Sequence, residues 1–386
     1  MSESYLNRGV SAKKEDVHYA IRKLDKGLYP KMFCKVFEDV LGGDKDFVNI
    51  MSSDGSGTKS ILAYLYWKAT NDVSIWKGIA QDALVMNLDD LFCIGAKGPF
   101  LYSSIINRNK NRIPGEVLNE IINGTQEFID TMQKHNVNIK LTGGETADLG
   151  DIVRTITVDG SMTGRMKKSE LVFTNNIKPG QIIVGLSSSG QTTYEDTYNS
   201  GIGSNGLTAA RHDSLDNSYA WDFPETFESQ LDKKFVYNGK YKIDAFVEHQ
   251  VLGKLLLSPT RTYAPVLMKI LNECFENVFS IVHNTGGGHG KVLHFAEKVN
   301  IIKNNLFPCP EIFRIIQEST ETPWKEMYQI YNMGCRMEIY TNTIGAAKII
   351  EIANSFKLDA QIIGTVEEDQ DAKVSIISEF GTFMLE

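Results

Sequence analysis

The sequence predicts an α/β (α+β) chain of two domains. Three observations point there. The 386 residues are enough for two domains at a prior of ~150 residues each. Runs with strand-like alternation are followed by runs with helical periodicity in both halves of the chain. Several of those strands end in glycines followed by polar or charged residues, the pattern of sites built at strand ends. At 42% hydrophobic and 23% charged, the composition is that of an ordinary globular protein.

Residues 1–45 are mixed and charged, with Lys13-Lys14-Glu15-Asp16 ahead of a short helix over 17–23. A flexible arm and a solvated helix are both open readings of this region. Residues 46–50 form a short strand that breaks into Met51-Ser-Ser-Asp54-Gly55-Ser56-Gly57-Thr58-Lys59. Two glycines beside Ser56 permit a sharp turn and a close backbone approach to a ligand. Asp54 offers an anionic oxygen, and Lys59 a mobile charge for a phosphate. The plain alternative is a surface turn, since Asp-Gly and Ser-Gly are common turn dipeptides. The stretch is neither a Walker A loop nor a dinucleotide fingerprint, because Lys59 follows Thr58 and a third glycine is missing.

Residues 60–68 are apolar and read as strand or helix. Residues 76–95 have helical periodicity and carry Asp82, Asp89 and Asp90. Asp82 and Asp89 share a face by i, i+3, i+4 spacing; solvated carboxylates are the alternative. A turn at 98 precedes a buried strand to 106, and a helix spans 117–135. A strand over 137–141 runs into Thr142-Gly143-Gly144-Glu145-Thr146-Ala147-Asp148, and another strand lies within 152–165. Near 175 the chain changes character, and a domain boundary is placed there. Residues 181–186 form a strand. Residues 191–250 are polar and hard to parse, with Ser204 or Asn205 as a helix cap. Ser258-Pro-Thr-Arg261 opens a helix over 263–275, with Thr260 as its cap. A strand over 280–284 ends in Thr285-Gly286-Gly287-Gly288. Helices near 310–320 and 343–355 and strands at 336–340, 361–366 and 373–377 close the chain.

A formal charge of −8 argues against the basic face of a nucleic-acid binder. The N-terminus lacks the apolar core of a secretory signal. No run approaches the ~18 apolar residues of a membrane span. The five cysteines, Cys34, Cys93, Cys274, Cys309 and Cys335, are scattered without a C-x-x-C pair, which indicates neither a disulfide framework nor a zinc site. A cytoplasmic location is expected.

Seven short motifs stand in a fixed order: Asp54-Gly-Ser-Gly-Thr-Lys59, Asp82 with Asp89-Asp90, Gly143-Gly-Glu-Thr-Ala147, Ser204-Asn-Gly206, Pro259-Thr-Arg261, Thr285-Gly-Gly-Gly288 and Asn332-Met-Gly334. The series resembles the aminoimidazole ribonucleotide synthase family, also called phosphoribosylformylglycinamidine cyclo-ligases, over nearly the full chain. It is less similar to selenophosphate synthetase, whose N-terminal glycine region carries a cysteine, and to thiamine-phosphate kinase, which lacks Pro-Thr-Arg and Asn-Met-Gly in this form. There are departures. Ser56 stands where the family usually has Val, and Ile202-Gly203 where it usually has Pro-His. Residues 191–203 and 208–250 are longer than usual.

The resemblance implies a two-domain AIR-synthase-like fold. Residues 1–175 would be an α/β ATP-binding and dimerisation domain whose sheet pairs with a partner subunit's to make a barrel. Residues 176–386 would be an α/β sandwich with an insertion at about 191–250. It implies a homodimer that binds ATP, Mg2+ and a small-molecule ribonucleotide, with no nucleic-acid or membrane partner. The implied reaction closes the ring of formylglycinamidine ribonucleotide in purine biosynthesis. Asp54, Asp82, Asp90 and Glu145 are the implied Mg2+ ligands; for Asp90 and Glu145, loop organisation through backbone amides is the alternative. Lys59, Asp54 and Asp82 are the implied catalytic group. Gly55, Gly57, Thr58, Lys59, Gly143 and Gly144 would hold the nucleotide phosphates. Ser204, Asn205, Gly286, Gly287 and Gly288 would meet the substrate. Lys13 or Lys14 would belong to an arm over the nucleotide, and His283 and His289 read as satisfied structural residues. Two rival readings remain: another ATP-dependent kinase-like member of the superfamily, and a nucleotide-binding paralogue without turnover.

Overall fold

The computed structural model describes residues 7–10 and 15–386; Lys13 and Lys14 lie outside the described residues. Alternation of Ile156, Val158, Met162 and Met166 sends one face of β5 (Ile156–Lys167) into the interior. This strand is central to a five-stranded sheet in the order β1-β2-β5-β3-β4. Its other members are β1 (Val36–Glu38), β2 (Phe47–Gly55), β3 (Phe100–Arg108) and β4 (Ile139–Asp148). The β3–β4 pair is parallel and the others antiparallel. Helices Trp76–Phe92 and Gly115–Lys134 lie on one face. The opposite face exposes Met51, Leu101 and Ile105.

The Trp76–Phe92 helix is apolar on nearly all sides, which marks a buried helix rather than a surface one. It packs on β2 and β5 and, beyond the first sheet, on the Ala264–Glu273 helix. Its Leu84, Val85 and Leu88 share one core with Leu267, Ile270, Ile281 and Met337. The second sheet has seven strands in the order β14-β13-β10-β12-β6-β11-β9. They are β6 (Ile182–Ser187), β9 (Ser280–His283), β10 (Val299–Lys303), β11 (Cys335–Thr341), β12 (Ala360–Glu368), β13 (Lys373–Ser378) and β14 (Gly381–Leu385). The Thr343–Ser355 helix packs on β6 and β12. A short separate pair, β7 (Phe246–Val247) with β8 (Gln250–Val251), completes the strands.

Several local expectations change. Residues 60–68 are helix, within Lys59–Thr70. Gly143 to Asp148 is not a loop; it continues β4, because Gly144 through Asp148 pair in parallel with Ser104 through Arg108. Neither Ser204 nor Asn205 caps the Leu207–Ser214 helix; Gly206 does, in the left-handed region. Thr260 does not cap the next helix, which starts at Ala264 with Pro265 in its first turn. The 215–251 region wraps the Lys59–Thr70 helix: Tyr64 donates to Glu225 at 2.7 Å and meets the Phe223 ring edge-on. All five cysteines are free thiols, and four are buried. Among the described residues, no helix is long and apolar enough to cross a membrane.

Candidate functional site

The strand-end stretch is shaped by two glycines. A Cβ at Gly55 would stand 1.9 Å from Asp159 Oδ1 and 2.8 Å from Val158 O, so only glycine fits. Gly57 has φ +55°, a conformation that disfavours other residues. The chain then turns directly into the Lys59–Thr70 helix. Ser56 and Ser60 join hydroxyls at 2.8 Å inside the turn. Thr58 reaches across to Thr208 of the second half at 2.9 Å.

Lys59 is fully buried and points into the protein. Its Nζ lies 2.9 Å from Asp82 Oδ1 and 2.6 Å from Ser258 O. Burial holds the lysine pKa below its ordinary value, against the pull of the Asp82 charge. The same Asp82 oxygen accepts Thr260 N at 2.7 Å and Ser204 Oγ at 3.3 Å, and Ser204 and Thr260 join hydroxyls at 2.7 Å. Asp82 Oδ2 is buried without a partner. One turn pair further along the helix, Asp89 accepts Thr262 Oγ1 at 2.6 Å and Tyr263 N at 3.1 Å. Gln81 donates to Thr260 O at 2.9 Å. Asp82 and Asp89 do point to one side, as their spacing implies, but they are sealed from water. They grip the 258–263 segment of the second half.

Asp90 meets His283 instead of an open site: Oδ1 and Nδ1 are 2.8 Å apart. Burial pushes the Asp90 carboxyl up to about 7 and holds His283 down to about 3. Burial thus disfavours the charged form of each partner. His283 is thus not a satisfied structural residue, because its Nε2 is buried without a partner. His289 is one: its Nε2 donates to Asn332 O at 2.9 Å, beside the buried Lys303–Glu338 pair.

Asp54 and Glu145 are exposed on separate strands. Gly55, Asp159, Ile105 and Glu145 form one row across β2, β5, β3 and β4. At ~4.8 Å per strand, that puts the backbones of Gly55 and Glu145 roughly 14 Å apart; Asp54 stands in the adjacent row with Gly160, Ser104 and Gly144. Asn87, on the buried helix, donates to Asp54 O at 3.1 Å and ties the strand end to the Asp82 helix. Gly143, Gly144 and Glu145 border a separate cleft of about 200 Å³ with Ser104, Ile122 and Leu141.

The implied metal set is therefore not assembled. Among the described residues, no group of three or more His, Cys, Asp or Glu side chains could hold a metal ion. Asp82 is occupied by Lys59, and Asp90, whose carboxyl burial pushes up, is engaged by His283. These residues do not fit a protein-built Mg2+ cage. Lys59, expected to reach phosphates, is held inward. On the other wall, Asn205 Oδ1 stands 3.6 Å from where a Cβ at Gly286 would lie, so these two expected substrate residues meet. Gly288 departs from the set: it is buried, and its N–H is used by Thr285 O at 2.9 Å. The sequence does not indicate Ser258, Asp159 or Arg336, and it gives Asp89 and Thr260 other surroundings, a face shared with Asp82 and a helix cap. The Pro259-Thr260-Arg261 motif was the available signal, but its acceptors lie over 170 positions away on the Asp82 helix.

Comparison with known proteins agrees with this architecture. The family described as AIR synthase related protein, N-terminal domain, matches residues 39–166. The phosphoribosylformylglycinamidine cyclo-ligase of Methanococcus vannielii is 30% identical over 326 residues, covering 84% of this chain and 79% of that protein. The enzyme of that name from Staphylococcus carnosus is 28% identical, covering 97% and 98%. Among solved structures, the HypE–HypF complex aligns with TM-score 0.54 at 16% identity, covering 97% of this chain and 99% of that one. T. maritima PurL complexed with FGAR aligns with TM-score 0.51 at 15% identity; this chain covers 45% of its length. At such identities the structures establish the fold. Shared length and identity with the cyclo-ligases place the chain: it belongs to the phosphoribosylformylglycinamidine cyclo-ligase (AIR synthase) family.

Proposed function

We propose that this protein catalyses the ATP-dependent ring closure of formylglycinamidine ribonucleotide to aminoimidazole ribonucleotide, with ADP and phosphate as by-products, in purine biosynthesis. The observation that carries the reading is the junction at Asp82. There the strand-end motif with Lys59, the helix motif with Asp82, and the Ser204 and Thr260 motifs of the second half bond to one carboxylate. Four motifs that are remote in sequence and characteristic of the family are thus built into one place.

The chemical problem is a formyl amide oxygen that is a poor leaving group. Transfer of the γ-phosphoryl group to that oxygen breaks the bond to ADP and forms an iminophosphate. A nitrogen of the same molecule attacks the adjacent carbon, the C–O bond breaks, and phosphate leaves. Ring closure is intramolecular, so positioning supplies much of the rate. Phosphoryl transfer needs mainly alignment and charge neutralisation. Mg2+ carried by the co-substrate ATP would supply screening of the phosphate charge. We assign Asp54, the exposed carboxylate at the strand end, to the nucleotide side. Gly55, Gly57 and Thr58 bring backbone to it. Asn205 with Gly286 and Gly287 is assigned to the ribonucleotide phosphate through side-chain amide and backbone N–H groups. Lys59, Asp82 and Thr260 hold these two walls in register. The exposed apolar residues Met51, Leu101 and Ile105 on the open sheet face support a homodimer through that face.

The test mixes purified protein with ATP, Mg2+ and formylglycinamidine ribonucleotide and follows aminoimidazole ribonucleotide by a colour reaction of its aromatic amine. Product formation is expected, and Asp54→Asn should abolish it while the thermal midpoint stays put. ADP release only with another acceptor would favour a kinase-like relative. ATP binding with no ADP release would favour a non-catalytic paralogue, the reading that the sealed Lys59–Asp82 pair would suit.

A further inference from the structure

Gly203 and Arg336 come together from distant parts of the second half. Gly203 precedes Ser204, at the position where the family resemblance implies a histidine. Its φ is +71°, and a Cβ built on it would stand 3.4 Å from Arg336 Nη1 and 3.6 Å from Arg336 Cδ. The guanidinium therefore borders the space that a side chain at 203 would enter.

Arg336 lies on β11 and is 3% exposed. Its Nη2 donates to Arg261 O and lies 3.6 Å from Asp89 Oδ2. The Tyr263 ring sits 5.4 Å from its Cζ. Its Nε is buried without any partner. Arginine keeps its charge throughout the physiological range and offers five donors in a fixed fork. Leaving such a donor buried and unpaired is costly, so the site is built for an acceptor that arrives from outside. Arg261 does not play this part, since its guanidinium is already forked onto Glu195 at 2.7 and 3.0 Å.

The position is central. The Arg336 charge acts on Lys59, Asp89, Asp90 and His283. It thus stands between the Lys59–Asp82–Ser204 junction and the Asp90–His283 pair. Both of those contribute a buried atom without a partner, Asp82 Oδ2 and His283 Nε2.

We propose that Arg336 is an anion-binding residue of the site, placed from the opposite wall where a histidine before Ser204 would otherwise stand. Its ligand is a phosphate oxyanion of the nucleotide or of the ribonucleotide. The consequence is a fixed positive charge at a place where histidine would supply a titrating one.

The test titrates wild type, Arg336→Met and Arg336→Lys by calorimetry, separately with ADP plus Mg2+ and with formylglycinamidine ribonucleotide. Arg336→Met is expected to lose about ten- to a hundredfold affinity for one ligand, as for a lost charged hydrogen bond. The other affinity should hold, and the ligand that is lost identifies the source of the oxyanion. Arg336→Lys, which keeps the charge without the fork, should fall between. Unchanged affinities for both ligands overturn the proposal. So does an equal fall for both that tracks a lower thermal midpoint. If Arg336→Met does not fold, Arg336→Lys decides alone: selective weakening supports the proposal and unchanged affinities sink it. The inference rests on the cyclo-ligase reading, yet the two fail differently. Wild type that binds ADP but closes no ring sinks the reading and leaves the ADP comparison standing. Ring closure by wild type with unchanged variant affinities sinks only the role of Arg336.

Discussion

Asp82 is the residue on which the two halves agree. One carboxylate oxygen takes the Lys59 ammonium, the Thr260 amide and the Ser204 hydroxyl. Replacing it with Asn keeps the shape and leaves Lys59 as an uncompensated buried charge. Asp82→Asn should therefore destabilise by about 3–5 kcal/mol, read as a fall in the urea midpoint. A loss of activity at unchanged stability would make Asp82 a ligand contact instead. A second carboxylate permits a pH test. The Arg165 guanidinium, with the amides of Asp44 and Gly42 and the side chain of Asn49, holds Asp39 down to about 2. A depressed carboxyl pKa stabilises the fold above the unfolded value near 4, and that contribution is lost as pH falls toward 2. Asp39→Asn should melt below wild type at pH 7 and converge with it near pH 2. A gap that stays constant with pH would contradict this. The sequence pointed correctly to the shared side of Asp82 and Asp89, because helical spacing is local. It did not reveal that Lys59 turns inward, because Ser258, whose carbonyl the ammonium meets, lies about two hundred positions away.

At the scale of elements, the β2 end and the buried helix form a unit. Gly55 admits the Asp159 side chain, Asn87 holds Asp54 O, and the helix fills the space beneath β2 and β5. Gly55→Ala should cost about 1–3 kcal/mol through overpacking, seen in the denaturant midpoint, and should lower turnover by displacing Asp54. A neutral substitution would show that the strand end is looser than described. Most elements were legible from periodicity, including β5, β6 and the Gly115–Lys134 helix. At Gly144 parallel pairing with Ser104 of β3 wins over local turn chemistry, while Gly143, at φ +106°, sits in a bulge between paired residues. Strands β10 and β14 escaped notice for a related reason: five-residue strands carry little pattern, and β10 ends on Lys303, whose burial depends on Glu338 of β11.

At the scale of the whole molecule, the Asp82 helix is shared between two sheets, so the halves report on each other through the 258–263 segment. The opposite face of the first sheet, with Met51, Leu101 and Ile105 exposed, has no covering element among the described residues. Leu101→Asp should convert a dimer to a monomer in sedimentation while leaving the circular dichroism of the fold intact; a wild type that sediments as a monomer would remove the dimer from the proposal. The motif order in the sequence led to the family and its chemistry. The closed Lys59–Asp82 pair and the approach of Arg336 to the space beside Gly203 required three dimensions. The most direct test of ring closure through phosphorylation of the amide oxygen follows one atom. Formylglycinamidine ribonucleotide labelled with oxygen-18 in the formyl group is turned over with unlabelled ATP. The label should appear in the released phosphate, one atom per aminoimidazole ribonucleotide formed. Product accompanied by unlabelled phosphate would contradict the mechanism.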